Sequence, residues 1–444
     1  MLLEDRTIEE FVKPICRAVK AAGGRALLVG GLVRDCLIAK LLSISNLLQK
    51  VRDLDLEVYG IETERLRTIV AAFGRVNEVG ESFSVYKLSI RRNSARLEID
   101  VSLPRSESKV GRGHRGFKIQ GDPYMSYQQA ARRRDFTINA ILYDPLTDEL
   151  IDPYDGIGDI RRRLIRMVDA QTFVDDSLRV LRAMVFAARF EFAIDPETAA
   201  LCRRIPLDDL PHERIWMEFE KLFLRAQKPS VGLRVALQLA VVNKLFPELA
   251  ILSEGAFWEL TLNALDVAAR LTENLSRARR LTVMLAVLCL YLAEEANDVT
   301  ASVLGLLDKF NLHRIGGYRV RQQVCRLVTN RYKVVQLAKG SDGEYRRLAR
   351  LCDLELLYLV AKAESLAACG EASAQEAFWE RVKALGLEAG APRPILLGRH
   401  LLELGLKPGR KVGEIASAVY EMQLDGQIST FEEAVDAASR MLKG

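Results

Sequence analysis

The sequence of 444 residues is poor in several features that would place it in a specialised class. No long apolar run is present. The greasiest stretch, Leu281 to Ala293, falls short of the roughly 20 residues that span a bilayer, so it reads as a buried core helix and no membrane partner is expected. The seven cysteines (Cys16, Cys36, Cys202, Cys289, Cys325, Cys352, Cys369) are odd in number and scattered, without a Cys-x-x-Cys pair. That pattern excludes a disulfide scaffold and a zinc ribbon and predicts reduced, buried thiols. The start of the chain, Leu3-Glu4-Asp5-Arg6, is charged where a secretory signal would be apolar, and a cytoplasmic protein is expected. Neither sign of charge dominates: a formal charge of +5 suggests nucleic acid only weakly. Aromatics are few at 7%, whereas apolar residues make up 49%, which fits a helix-rich globular chain of two to four domains.

What is present is concentrated first in Ala26-Leu27-Leu28-Val29-Gly30-Gly31-Leu32-Val33-Arg34-Asp35. An apolar run broken by Gly-Gly and continued by a helical pattern reads as strand, tight turn and helix start, where backbone N–H groups can hold phosphate oxygens. Arg34 adds a charged fork for the same oxygens. Further on comes Arg52-Asp53-Leu54-Asp55-Leu56-Glu57-Val58-Tyr59-Gly60. Asp53 and Asp55 alternate along a strand and so project from one face. Two such carboxylates repel unless a divalent cation lies between them, and Mg²⁺ suits oxygen donors.

Around these stretches the periodicity predicts an N-terminal helix from Thr7 to Ala22, a helical segment from Arg34 to Gln49, and a helix over Thr63 to Ala72 with Thr63 as N-cap. Ser82–Ile90 and Ala95–Leu103 alternate as an antiparallel hairpin, with Glu98 and Asp100 on one face, either as part of an acidic site or as a solvated strand surface. Pro104 to Gln120, rich in glycine and basic residues, has no period and reads as a mobile surface loop or a polar hairpin connection. In Ile151–Ile160, Asp155-Gly156 predicts a turn, and Asp159 could cap a helix starting near Ile160. Asp176, Arg179 and Arg182, spaced by threes, form one polar stripe on a helix, fit either for base edges or for an intrahelical salt bridge. Helices are expected over Ala256–Leu271, Arg280–Ala293 and Arg319–Ala338.

Gly30-Gly31-Leu32-Val33-Arg34-Asp35 with Asp53-Leu54-Asp55 resembles the first motif of the class II tRNA nucleotidyltransferases (CCA-adding enzymes) and the related bacterial poly(A) polymerases. Four further blocks carry the resemblance: Arg133-Arg134-Asp135-Phe136-Thr137-Ile138-Asn139-Ala140, Ile151 to Ile160, Asp175 to Ala183, and Pro211 to Lys221. The tail, with Leu406-Lys407-Pro408-Gly409, is similar to the C-terminal helical domain of CCA-adding enzymes. Asp175 stands where the family usually has Glu, Val185 where many relatives carry Arg, and Leu41 to Leu48 lengthens the interval before the Asp pair.

The resemblance implies an α+β fold. A nucleotidyltransferase head with a mainly antiparallel mixed sheet (1–160) would be followed by all-helical neck (161–230), body (231–375) and tail (376–444). It implies nucleotidyl transfer from CTP and ATP to the tRNA 3′ end, with Asp53, Asp55 and Asp100 as catalytic carboxylates and Mg²⁺ on Asp53 and Asp55. Gly30, Gly31 and Arg34 would hold the triphosphate. Arg134 would reach phosphate, Asp135 and Asn139 would serve the ribose, and Asp176, Arg179 and Arg182 would select the base. The flexible stretch after Pro104 would take part in addition, the fifth block would brace the helices beneath the site, and the basic tail would face RNA. Some relatives carry a His-Asp phosphohydrolase site in the body, but Leu281 to Leu292 contains neither residue type. Addition of CC or A alone, a poly(A) polymerase, and a catalytically silent tRNA-binding protein are the competing readings. The presence of all three acidic residues argues against the last, and no DNA partner is expected.

Overall fold

The apolar run before Gly30 lies inside a sheet and is buried on both of its faces, with Leu27 and Leu28 wholly enclosed. This computed structural model describes residues 6–44, 54–78, 85–92, 95–109, 117–293 and 298–443. In chain order the strands are β1 (Arg25–Val29), β2 (Leu54–Tyr59), β3 (Arg75–Glu78), β4 (Val85–Arg92), β5 (Ala95–Ser102), β6 (Arg105–Lys109), β7 (Phe117–Gly121), β8 (Leu142–Asp144) and β9 (Glu149–Ile151). Seven of them form one sheet in the order β3-β4-β5-β2-β1-β8-β9. Neighbours run antiparallel except β2 and β5, which are parallel. The expected mixed, mainly antiparallel sheet is therefore present.

The basic, glycine-rich stretch is partly ordered. β6 and β7 pair with each other in register from Arg105↔Gly121 to Lys109↔Phe117, so its arms are strands, and 110–116 lie outside the described residues.

Helix α1 (Lys13–Ala21), entered through a π-type turn at Ile8–Val12, buries Ile15, Cys16 and Val19. Helix α2 (Gly31–Leu42) ends where Ser43 adopts a left-handed conformation, so the helical segment expected to reach Gln49 stops short. Residues 45–53, half of the Leu41–Leu48 stretch and Asp53 among them, lie outside the described residues. Helix α3 (Thr63–Ala71) buries Leu66 and Val70. Its N-cap is the extended Glu62, and Thr63 sits one position inside the helix, contrary to expectation.

There follow α4 (Tyr127–Arg132), whose Ser126 and Gln129 form a reciprocal capping box, and α5 (Gly156–Arg162), α6 (Ala170–Phe173), α7 (Leu178–Phe190), α8 (Pro196–Arg204) and α9 (His212–Arg225). The segment after the head is not wholly helical: Leu164–Ile165 and Ala193–Ile194 pair as two short parallel strands.

Residue contacts divide the chain into two compact units, Met1–Glu218 with Val231–Leu245, and Phe219–Ser230 with Phe246–Gly444. The first holds the sheet and α1 to α8. The second is built of helices around Phe219, Phe246 and Phe310, whose rings lie 5.0 to 5.2 Å apart. Its helix Arg277–Leu288 and the 3-10 turn Leu290–Ala293 bury every residue from Leu281 to Leu292, as the apolar run implies. The continuous helix expected over Arg319–Ala338 is interrupted. Val320–Asn330 ends beside Arg331, whose buried guanidinium donates back to the Val328 carbonyl at 3.0 Å, and the chain resumes as Lys333–Gln336.

The C-terminal helices Gly398–Glu403, Arg410–Leu424 and Phe431–Lys443 enclose Leu401, Ile415, Val419, Ala434 and Ala438. Among the described residues no disulfide is formed. Most thiols are buried as expected, but Cys325 is half-buried and Cys369 is exposed. Among the described residues, no helix is long and apolar enough to cross a membrane.

Candidate active site

The parallel pairing of β2 with β5 sets Leu54 opposite Ile99 and Asp55 opposite Asp100. Because side chains alternate along each strand, Leu54 and Ile99 go into the core while the two carboxylates share the other face, where Asp55 is exposed and Asp100 half-exposed. Lys87, opposite Asp100 on β4, brings its Nζ to 3.9 Å from Asp100 Oδ2. Among the described residues no group of three or more His, Cys, Asp and Glu side chains converges, and Asp53 lies outside them.

Beside this pair the end of β1 turns into α2 through Gly30, at φ +76°, a left-handed conformation that favours glycine. A Cβ on Gly30 would lie 3.4 Å from Asp55 Oδ2 and 3.9 Å from Arg134 Nη1. The turn, the carboxylate and the Arg134 guanidinium thus meet at one spot.

Arg34 lies at the turn, its Nη2 3.5 Å from where a Gly31 Cβ would stand, and is enclosed. Its guanidinium is only 5% exposed, stacks over Phe186 and Phe190, and donates to Asp35 at 2.8 Å and to Asn139 Oδ1 at 2.7 Å. Asn139 donates to Asp135 Oδ1 at 2.8 Å, and Arg182 donates to Asp135 Oδ2 at 2.7 Å. Burial pushes the Asp135 carboxyl up. The Arg182 charge and the bonds from Asn139, Arg182 and the Phe136 N–H outweigh it and hold the group below the usual carboxylate range. Arg34, Asn139, Asp135 and Arg182 are therefore one internal chain of bonds that ties α2 and the 3-10 turn Thr137–Asn139 to α7.

Arg133 and Arg134 face the sheet over a residue with no expected role. Glu57, two positions beyond Asp55 on β2, is 1% exposed and pairs with Arg133 at 3.0 Å and Arg134 at 3.5 Å. The signal of it in the sequence is a second acidic residue, two positions after Asp55, in a strand whose other residues are apolar or aromatic.

Asp176 precedes α7 and does not lie on it. It accepts from the Leu178 N–H and pairs with Arg214 of α9 at 3.4 Å. Arg179 donates to the carbonyls of Thr172 at 2.7 Å and Arg133 at 2.5 Å. The three residues do not form a continuous helical stripe, and Arg214, expected only to brace, is the ion-pair partner of Asp176.

Residues 26–166 match the family described as Poly A polymerase head domain, and residues 191–252 match that described as Probable RNA and SrmB- binding site of polymerase A. The Multifunctional CCA protein of Mannheimia succiniciproducens is 34% identical over 325 residues, 69% of this chain and 70% of that protein. The chain belongs to the class II CCA-adding enzyme family. With the family's Multifunctional CCA protein of Xanthomonas campestris the identity is 37% over 229 residues, and there the chain spans about half the length of its relative. The family fold is also that of the Thermotoga maritima CCA-adding enzyme complexed with tRNA, which superposes with a TM-score of 0.65 at 21% identity, covering 99% of this chain and 97% of that one.

In this member of the CCA-adding family the third block is built around Asp159, which does not cap a helix. Asp159 lies within α5, wholly buried, and accepts from Thr137 Oγ1 at 2.6 Å, Arg162 at 2.7 Å and Arg166 at 2.9 Å. The N–H groups that open α5, those of Gly156 and Ile157, are instead capped by Asp152, each at 2.8 Å. Thr137 belongs to the second block, so Asp159 joins the two blocks directly.

Proposed function

We propose that the protein is a template-independent nucleotidyltransferase that adds C, C and A, from CTP and ATP, to the 3′ end of tRNA. The observation that carries this reading is the lateral pairing of Asp55 with Asp100 beside the Gly30 turn. Two carboxylates on one open face are the donor set for a hard divalent cation, and the turn beside them suits a polyphosphate. Asp53, Asp55 and Asp100 are the catalytic set. Asp53 and Asp55 would hold Mg²⁺, which would supply charge neutralisation at the phosphates and a lowered pKa for the attacking hydroxyl.

The tRNA 3′ oxygen attacks the α-phosphorus, the new O–P bond forms as the bond to the β-phosphate oxygen breaks, and pyrophosphate leaves while the hydroxyl proton passes to solvent. Gly30 and Gly31 expose backbone to the triphosphate, with Arg134 Nη1 beside Gly30 and Arg34 Nη2 beside Gly31. Arg34, Asp135 and Asn139 act through the bonded chain described above, which sets the turn and the ribose-side surface. Asp176, Arg179 and Arg182 choose the base. Arg179 is suited to this because two backbone carbonyls hold its guanidinium in one orientation. The basic residues of the tail, among them Arg399, Lys407 and Lys411, contact tRNA phosphates, and the reaction takes place in the cytoplasm.

The test supplies tRNAs ending before the first C, after the second C and after the final A, each with a single NTP, and sequences the products. Ordered addition of C, C and A supports the proposal. Addition of C only or A only assigns a partial enzyme, and unlimited A assigns a poly(A) polymerase.

A further inference from the structure

We infer that Glu57 is a positioning residue that holds Arg134 on the nucleotide side of the site and keeps it from pairing with Asp55; this rests on the reading of the site as a triphosphate site. Alternation puts Asp55, Glu57 and Tyr59 on the same face of β2, but their surroundings differ: Asp55 is exposed and Glu57 is buried. Glu57 Oε1 accepts from Arg133 Nη2 at 3.0 Å, Glu57 Oε2 accepts from the Tyr59 hydroxyl at 2.9 Å, and Arg134 Nη2 lies 3.5 Å from Oε2. Arg134 Nη1 donates to the Asn139 carbonyl at 3.2 Å, while its Nε is buried with no hydrogen-bond partner.

One carboxylate thus faces two guanidinium groups, and Arg134 keeps its Nη1 at the Gly30 turn. The Nη1 of Arg134, beside the turn, is the donor that an anion arriving there would meet.

The alternative partner for Arg134 is close. Asp55 Oδ2 and Arg134 Nη1 both lie within 4 Å of the point where a Gly30 Cβ would stand. An arginine paired with Asp55 would occupy the carboxylate needed by the cation and would cancel the charge meant for the phosphates. With Glu57 ionised, Arg134 has a nearer buried anion and stays where it is.

The test is equilibrium binding of CTP with Mg²⁺ by titration calorimetry, without tRNA and hence without turnover, on wild type, Glu57→Gln, Arg134→Ala and the double variant. Thermal melting of each variant serves as a check on folding. Glu57→Gln keeps the shape and the Tyr59 bond but removes the charge, and it should weaken CTP about tenfold, the scale of a charge-assisted bond, with tRNA affinity unchanged. In the Arg134→Ala background the same change should have no further effect. An unaltered CTP affinity in Glu57→Gln, or a full additional loss in the double variant, overturns the inference. If Glu57→Gln does not fold, Arg134→Ala alone decides, since it leaves Glu57 its bonds to Arg133 and Tyr59: CTP affinity must fall about tenfold, and unchanged affinity overturns the inference. Absence of CTP binding by the wild type would remove the proposed function as well, whereas wild-type binding with insensitive variants removes only the role of Glu57.

Discussion

Asp55 and Asp100 face each other across β2 and β5, in the one parallel pairing of the seven-stranded sheet among the described residues. The two strands are joined through α3, β3 and β4, so the juxtaposition depends on a crossover and not on a turn. A slip of one residue in that register would send one carboxylate into the core and bring an apolar side chain to the surface.

From this pair follows the first prediction. Asp55→Asn or Asp100→Asn should lower the rate of nucleotide addition by on the order of a hundredfold or more, equivalent to several kcal/mol of lost transition-state stabilisation. Binding of tRNA, measured by filter retention at fixed salt, should stay within a factor of about two, because phosphate contacts dominate that affinity. Wild-type turnover in either variant would remove the acidic pair from the chemistry.

Base choice is the second. Arg179→Ala should admit UTP and GTP as well as slow CTP and ATP, since each good bidentate pair contributes about 1–3 kcal/mol of discrimination. Arg214→Ala, which deprives Asp176 of its partner on α9, should shift the same ratios to a smaller extent. Single-turnover incorporation of all four nucleotides measures both. A common slowing with unchanged ratios would assign these residues to the scaffold.

The third concerns pH. Asp135 has a folded-state pKa below its unfolded one, so the stability it contributes is fully present above the unfolded value of about 3.9 and is lost as pH falls through the folded value. Asp135→Asn leaves Arg182 without its buried partner and should cost about 3 kcal/mol near pH 7. Urea unfolding of both proteins should show the difference narrowing once the pH is taken below about 4. A difference that is constant with pH would mean that the Asp135 charge contributes no stability.

A fourth addresses the junction of the second and third blocks. A Cβ on Gly156 would sit 2.3 Å from the Thr137 carbonyl oxygen, a backbone atom that cannot swing aside. Gly156→Ala should therefore destabilise by about 1–3 kcal/mol and pull Thr137 from Asp159. A melting temperature equal to that of the wild type would show that α5 shifts at no cost.

The local pieces were legible in the amino-acid order. Ala26–Val29 is apolar throughout and became a fully buried strand. Gly30 stands where the backbone needs a left-handed residue. The alternation of β4 and β5 was enough for their hairpin, and the ordered blocks were enough for the family. Each of these signals lies within a few residues of the feature it specifies, because strand period and turn chemistry act over that distance.

Tertiary structure alone decided what the charged residues touch. Arg34 looks in sequence like a phosphate fork and is enclosed by Phe186, Phe190 and Asn139. Asp159 looks like a cap and joins two blocks, Glu57 lies beneath a pair of arginines, and Asp176 finds Arg214 instead of Arg179. A charged side chain goes to whatever counter-charge the fold brings into its low-dielectric surroundings, and those partners come from distant parts of the chain. No local period encodes that choice; the register of β2 on β5 and the packing of α7 against the head do.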